Sequence, residues 1–390
     1  MNRSAPAGFV AFVAAVAMSA SMAVAQLPRA EPQAAGMDAD RLTEIDDAVQ
    51  TALAAGKMPG CVVLVARCGK IVFLKAYGER SVEPVKRPMT VDTVFDMASL
   101  TKPVATATSV MLLAEQGKLA LDDPVAKYLP GFAQAEKESI TIRQLLTHQG
   151  GLIADNPIED YADGPEQAMA RVMASGPQAK PGEAFKYSDV GFIVLGELVR
   201  RVAGENLDRF ASEHIFVPLG LKETTYLPGD GLRQRAAPAE KRNDRWMQGE
   251  VHDPRAYALG GVAGHAGLFS TAEDLAVYAQ MLLQGGEFNG VRILRPETVA
   301  EMTRAQPVKG GLRALGWDVR SAYSSNRGTG FSDRAFGHGG FTGTAMWIDP
   351  ELELTVIFLS NRVHPDGKGS VNKLAGQIGT IAAAAIVPGK

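Results

Sequence analysis

Ser99-Leu100-Thr101-Lys102 sets a hydroxyl three residues ahead of an amine, at the front of the run DMASLTKPVATATSVMLLAEQG (residues 96–117). If a helix starts at Ser99, both side chains share a face, separated by a rise of roughly 4.5 Å. The amine can then curl back and accept the serine proton, provided that burial lowers its pKa. The helix N-terminus favours the negative charge that develops on the oxygen. The same four residues also fit a serine cap followed by a solvated lysine. A second match, Ser370 to Lys373, shows how easily the spacing recurs. The apolar neighbours Phe95, Met97, Ala98 and Leu100 favour a buried pair.

Two further clusters could serve such a nucleophile. Tyr187-Ser188-Asp189 lies between Pro181-Gly182 and an apolar helical run. A phenol held near a lysine ionises more easily, so Tyr187 is a candidate general base. Tyr161-Ala162-Asp163 has the same spacing without the Pro-Gly or the long apolar run. His338-Gly339-Gly340 opens the segment HGGFTGTAMWIDP (338–350), and glycine in a strand marks close approach of a ligand or another backbone. There the N–H of Phe341 and that of Ser99 could form an oxyanion hole.

The elements that must position these groups are legible from pattern. Residues 38–54 carry Leu42, Ile45, Val49 and Leu53 at helical spacing behind aspartates that can cap. Residues 61–66 and 71–77 are β-rich and joined by Arg-Cys-Gly-Lys, a hairpin signal. Helical patches separated by Pro and Gly fill roughly 120–310. Strands are expected again near 335–338, 344–349 and 354–360, with a last helix from Ser370. Strands at both ends and helices between them predict a mixed α+β (α/β) fold. An antiparallel sheet is built from N- and C-terminal strands, flanked by helices, with a mostly helical region inserted at about 120–310. Residues 228–255 read as a long polar loop, a candidate lid or binding wall.

Composition bounds the function. The 390 residues carry 40 basic and 43 acidic side chains, net −3, without a dense basic run, which argues against a nucleic-acid partner. Arg3, the apolar stretch 9–18 and Ala23-Val24-Ala25 read as a cleaved signal peptide over 1–25. The mature chain, 26–390, is then expected as one domain, periplasmic or secreted, with no stable membrane anchor. Cys61 and Cys68 fall on one strand, too far apart to bridge. The six histidines show no zinc spacing, and there is no P-loop, H-E-x-x-H or G-x-S-x-G, so neither a metal nor an organic cofactor is expected.

In this order, Ser-x-x-Lys, Tyr-x-Asp and His-Gly-Gly resemble the serine β-lactamase and penicillin-binding protein superfamily. With LLTHQGGL (145–152) and GGVAGHAGLFSTAEDLAVYAQMLLQGG (260–286), the resemblance lies in its class C branch, which includes family VIII carboxylesterases. GWDVRSAYSSNRG and LSNRVHPDGKG are similar to secreted hydrolases that act on muropeptides. The resemblance implies a β-lactamase/transpeptidase-like fold and an acyl-enzyme on Ser99. Lys102 and Tyr187 would share proton transfer, and Ser99 and Phe341 would supply the oxyanion donors. Asp189, His338, Gly339, Gly340 and His265 would meet a small-molecule or muropeptide substrate. Asp189 stands where the family has an amide donor, and His338 where it has a permanent cation. Both departures favour an ester or amide over efficient β-lactam turnover. The alternatives are a β-lactamase, a D-alanyl carboxypeptidase, a broad carboxylesterase, or an inactive penicillin- or wall-binding protein.

Overall fold

A computed structural model describes residues 26–387, with Met1 and Gly389 besides; the signal-peptide segment lies outside the described residues. Its centre is a nine-stranded antiparallel sheet. The strands are β1 (Gly60–Arg67), β2 (Lys70–Ser81), β3 (Arg87–Pro88), β4 (Gln306–Val308), β5 (Gly311–Arg313), β6 (Asp318–Arg320), β7 (Phe336–Gly340), β8 (Thr344–Asp349) and β9 (Leu354–Ser360). Their order is β4-β5-β6-β7-β8-β9-β1-β2-β3, so N- and C-terminal strands meet where β1 pairs with β9, Cys61 opposite Ser360. The antiparallel sheet built from both ends is as expected. The short strands β4, β5 and β6 extend it by a margin that the sequence pattern does not reveal.

The sheet is covered on both faces, which is why β1 is apolar and buried without alternation from Gly60 to Ala66, ahead of Arg67. Successive side chains point to opposite faces. Cys61, Val63 and Val65 pack with Leu42, Ile45 and Val49 of α1 (Ala39–Ala54) and with Leu374, Ile378 and Ile381 of the last helix, Asn372–Ala384. Val62 and Leu64 face the other way, into the core of the inserted region. Asp38 caps α1 by accepting the N–H groups of Asp40 and Arg41. At the β1–β2 hairpin, Cys68 and Gly69 both take positive φ (49° and 72°), as a type I′ turn requires. Both cysteines are free. Among the described residues no helix is long and apolar enough to cross a membrane.

Two local expectations need correction. Residues 228–255 are not one long loop: they fold into a helix, Asp230–Arg235, and a hairpin of Pro238–Arg242 with Arg245–Gln248. The hairpin turn is Asn243-Asp244, both at positive φ (50° and 61°), two residue types that tolerate this conformation. The Ser99 helix is also not α-helical at its start. A 3₁₀ turn, Ala98–Leu100, runs into a π-helical stretch, Lys102–Ala107, and only then into α2 (Thr108–Glu115).

Candidate active site

Ser99 sits on a turn held from several sides. Ala98, just before it, has φ +44°, a strained value for a residue with a side chain. The surroundings impose it. The buried Asp96 carboxylate accepts the N–H of Ala98 at 2.8 Å and that of His252 at 2.7 Å. Thr344 Oγ1 donates to Met97 O at 3.2 Å, and Thr342 Oγ1 to Asp96 O at 2.8 Å. These bonds fix the Ser99 turn to the end of β7 and the start of β8.

Gly340 explains the glycines of β7. A Cβ there would lie 2.6 Å from Met97 O and 3.3 Å from Ala98 Cβ. Gly340→Ala is therefore expected to push β7 off the Ser99 turn and lower kcat by about 10²-fold, the cost of roughly 1 Å of misplacement. Steady-state kinetics on any substrate that is turned over checks this; a variant at wild-type rate would show that the approach is not needed.

Lys102 reaches Ser99 as the spacing suggests: its Nζ lies 3.0 Å from Ser99 Oγ. It is fully buried and also donates to His265 O at 3.1 Å. Its third partner is Asp189 Oδ1, at 2.5 Å. Asp189 opens α3 (Asp189–Ala203), the long apolar helix that follows Tyr187. The expected lowering of the lysine pKa does not prevail. Burial does disfavour the ammonium, but Asp189, with Tyr187, outweighs it and the net shift is upward. Lys102 is therefore an ammonium at neutral pH.

Tyr187 packs across the same group, with Lys102 Nζ 4.9 Å from its ring centroid. Burial raises the phenol's pKa; Lys102 pulls it down and Asp189 pushes it up, and the net shift is upward. Two aromatic neighbours fix the ring, His148 at 4.4 Å and Tyr323 at 4.9 Å between centroids, both stacked. His148 also accepts the Ser188 N–H on Nδ1 at 3.1 Å. Its pKa lies well below the usual histidine value, through burial first and then Arg313 and Lys102. It is a neutral wall behind Tyr187, a role the sequence pattern left unread although it lies within LLTHQGGL. His338 is likewise held neutral by burial and by Arg313 and Lys102. Its Nδ1 is bonded to Gly339 O at 2.7 Å.

A cavity of about 340 Å³ joins Ser99, Tyr187, His338, Gly339, Gly340 and Phe341. Arg313, Asp318, Tyr323, Asn326 and Arg362 share its wall, and none of these five was picked out from sequence. Asp189 and His265 lie behind it instead. Asp189 faces Lys102, and His265 turns its ring to Asp253, Nε2 to Oδ1 2.9 Å. Asp189, Asp253 and His265 thus bring three potential ligand atoms within 4.8 Å of one another, a cluster invisible in the spacing. A cation there would have to compete with the Lys102 ammonium for Asp189. Ser370 lies on the cavity rim, but Lys373 is exposed, so the second Ser-x-x-Lys is no buried pair. Tyr161 bonds Asn156 at 2.7 Å as a packed core phenol. A larger cavity of about 790 Å³ runs along α3 past Ile193 and Arg200 and contains neither Ser99 nor Tyr187.

The chain is similar to known proteins over most of its length. The model of the Beta-lactamase family matches residues 45–379. A protein of Escherichia coli K12 named "Putative D-alanyl-D-alanine carboxypeptidase" is 34% identical, covering 90% of both chains. One of the same name from Salmonella schwarzengrund is 32% identical over 87% of this chain and 86% of its own. Among solved structures, EstCE1, a hydrolase with promiscuous acyltransferase activity, superposes with TM-score 0.69 at 26% identity, covering 89% of this chain and 99% of its own. A penicillin-binding protein homologue from Caulobacter crescentus, at TM-score 0.70 and 24% identity, covers 90% of this chain and 99% of its own and shares the fold.

Proposed function

The chain belongs to the Beta-lactamase family and is a serine hydrolase of that superfamily, and we propose that it cleaves an ester or amide through an acyl-enzyme on Ser99. The observation that carries this is the buried Lys102 ammonium, 3.0 Å from Ser99 Oγ, with Tyr187 packed against it. An ammonium cannot accept a proton. It donates to Ser99 Oγ, and because burial raises the phenol's pKa as well, the serine proton is taken in the minor form of the site in which Tyr187 is a phenolate beside the Lys102 ammonium. Ser99 Oγ then bonds to the substrate carbonyl carbon, and the N–H groups of Ser99 and Phe341 receive the oxyanion. The carbon–leaving-group bond breaks as Tyr187 returns its proton to the leaving group. Water, deprotonated by the same phenolate, releases the acid and regenerates Ser99.

The substrate is proposed to be a peptidoglycan fragment, met outside the cytoplasm after removal of residues 1–25. The names of the E. coli and Salmonella relatives support a wall-peptide bond. The neutral His338, and an Asp189 committed to Lys102, support turnover of esters and amides over β-lactams. The test is a parallel assay with a short-chain p-nitrophenyl ester, a wall-peptide amide and benzylpenicillin, each followed also by intact mass. Ester or peptide turnover at least about 10²-fold above penicillin is expected. Penicillin turnover equal to the others would reassign the chain to the β-lactamases. No turnover and no acyl adduct with any probe would end the enzyme reading in favour of a binding protein.

The proton path makes a separate prediction. Tyr187→Phe should lower kcat by about 10²-fold or more, since the general base is lost; a rate within a few-fold of wild type would remove Tyr187 from that role. Asp189→Asn should act on pH instead. The Asp189 carboxylate stabilises the ammonium and disfavours the phenolate, so it raises both pKa values. Without it both fall, the basic form of the site survives to lower pH, and the acid limb of kcat/KM moves to lower pH. A limb that stays in place, or moves up, would refute the assigned charge state.

A further inference from the structure

One of the three partners of Lys102 is a backbone carbonyl, that of His265. It lies in a stretch bounded by Gly264 and by Gly267, the latter at φ +117°. Glycine leaves neighbouring peptide planes free to turn, so the direction of this carbonyl has to be set from outside. The ends of the stretch are pinned to the helix that starts at Ser99. Gly264 O accepts from Thr106 Oγ1 at 2.7 Å, and the Leu268 N–H donates to Thr101 Oγ1 at 3.1 Å. The middle is pinned by the His265 ring, fully buried, with Nε2 2.9 Å from Asp253 Oδ1. Burial works against a charge on Asp253, but His265 and the N–H of Ala256 outweigh it, and its pKa lies well below the usual carboxylate range. An ionised carboxylate only accepts, so Nε2 carries the hydrogen and donates it. Asp253 is itself fixed: Oδ1 also caps the helix Pro254–Ala258, accepting the N–H groups of Arg255 at 2.9 Å and Ala256 at 2.7 Å. The residue before it, His252, gives its N–H to Asp96, which holds the Ser99 turn. Two successive residues of one corner thus reach the turn of the nucleophile and the loop that meets the lysine.

We propose that Asp253 and the His265 side chain are positioning residues: the carboxylate anchors the ring, so that the His265 carbonyl receives Lys102 and holds its ammonium 3.0 Å from Ser99 Oγ. The proposal rests on the serine-hydrolase reading above and adds to it the groups that aim its lysine. Neither residue lines the Ser99 cavity, so the contact of His265 with substrate expected from sequence is replaced by a contact with the group that acts on substrate. The two anions around Lys102 divide the work. Asp189 supplies the charge that keeps the amine protonated. A carboxylate attracts an ammonium over a wide range of approach, whereas a carbonyl accepts near its own plane, so the His265 carbonyl supplies the direction that the ion pair lacks.

The test is a pair of variants that separates the bond from the ring. His265→Gln keeps an N–H donor and lacks the ring; His265→Phe keeps a ring and lacks the donor. On a substrate that the wild type turns over, His265→Phe should lower kcat at least about tenfold, part of the ~10²-fold that 1 Å of misplacement can cost, with KM within about twofold of wild type. His265→Gln should keep kcat within about threefold of wild type, because the tether to Asp253 is retained. The reverse order, with His265→Phe the more active, would make His265 a packing residue and overturn the proposal, as would a change in KM alone. Asp253→Ser repeats the test from the other partner and decides it if a His265 variant fails to fold. The serine oxygen still caps the helix Pro254–Ala258 but is too short to reach the ring, so kcat should fall as in His265→Phe; a wild-type rate would overturn the tether. A crystal structure of His265→Phe gives a reading that needs no turnover. Lys102 Nζ should stand beyond the hydrogen-bond limit of about 3.2 Å from Ser99 Oγ, and an unmoved lysine would refute the proposal. Absence of turnover by the wild type, with the lysine displaced in the variant, is a failure of the hydrolase reading alone.

Discussion

Ser99→Ala is expected to reduce hydrolysis by at least about 10⁴-fold, the usual cost of removing a nucleophile that works as part of a unit. The fold should barely respond. Lys102 loses one of three partners but keeps Asp189 Oδ1 and His265 O, so the buried ammonium remains compensated. A lost hydroxyl of this kind costs about 1 kcal/mol. Thermal melting near the wild-type midpoint, together with loss of activity and of any acyl adduct by intact mass, is the combined result. Ser370→Ala is the control within the same cavity: its lysine is exposed, and the variant should keep most of its rate. If Ser99→Ala retained a rate within tenfold of wild type, the nucleophile would have to be sought elsewhere along the cavity, Ser370 first.

Much of this arrangement could be read from sequence because its signals are local. The three-residue step from Ser99 to Lys102 survives even though the helix begins as 3₁₀ and π turns, since the step runs through the 3₁₀ turn, which sets side chains three apart on one side. The terminal strands were visible as apolar runs bounded by turn residues, and α1 by its spacing and its aspartate cap. What was missed depends on distant parts of the chain. Strands β4, β5 and β6 are three residues each, too short for a period to show. Arg313 therefore carried no signal, although it contributes buried charge close to both His148 and His338. The positive φ of Ala98 is imposed by bonds from Asp96 and by the approach of Gly340, not by its residue type. The lysine pKa was the clearest reversal. Burial alone argues for a depressed value, and sequence shows no reason for Asp189 to touch Lys102 rather than substrate. Once α3 brings its N-terminus against the π-helical stretch, the carboxylate decides the charge.

That charge decision predicts a large stability effect. Lys102→Met keeps the volume of the side chain and removes the ammonium, leaving Asp189 as an unmatched carboxylate whose Oδ1 is buried without a hydrogen-bond donor. Stranding one partner of a buried pair costs about 3–5 kcal/mol. Asp189 keeps 20% of its side chain exposed, which puts the expected loss at the lower end, about 3 kcal/mol. The loss should grow with pH. The stranded carboxylate takes up a proton more readily in the folded protein than in the unfolded chain, so low pH discharges it and relieves the penalty, and high pH restores it. Denaturant unfolding at pH 5 and pH 8 measures both the size and the sign. Adding Asp189→Asn should recover most of the stability, because a neutral amide replaces the unpaired charge, while hydrolysis stays at least about 10²-fold down without the ammonium that supports Tyr187. Recovery of stability without recovery of rate separates the two duties of Lys102, as counter-ion to Asp189 and as electrostatic partner of the base. A single Lys102→Met variant that loses less than about 1 kcal/mol at pH 8 would mean that the pair is not held as an ion pair. The assignment of the serine proton to Tyr187 would then fall with it.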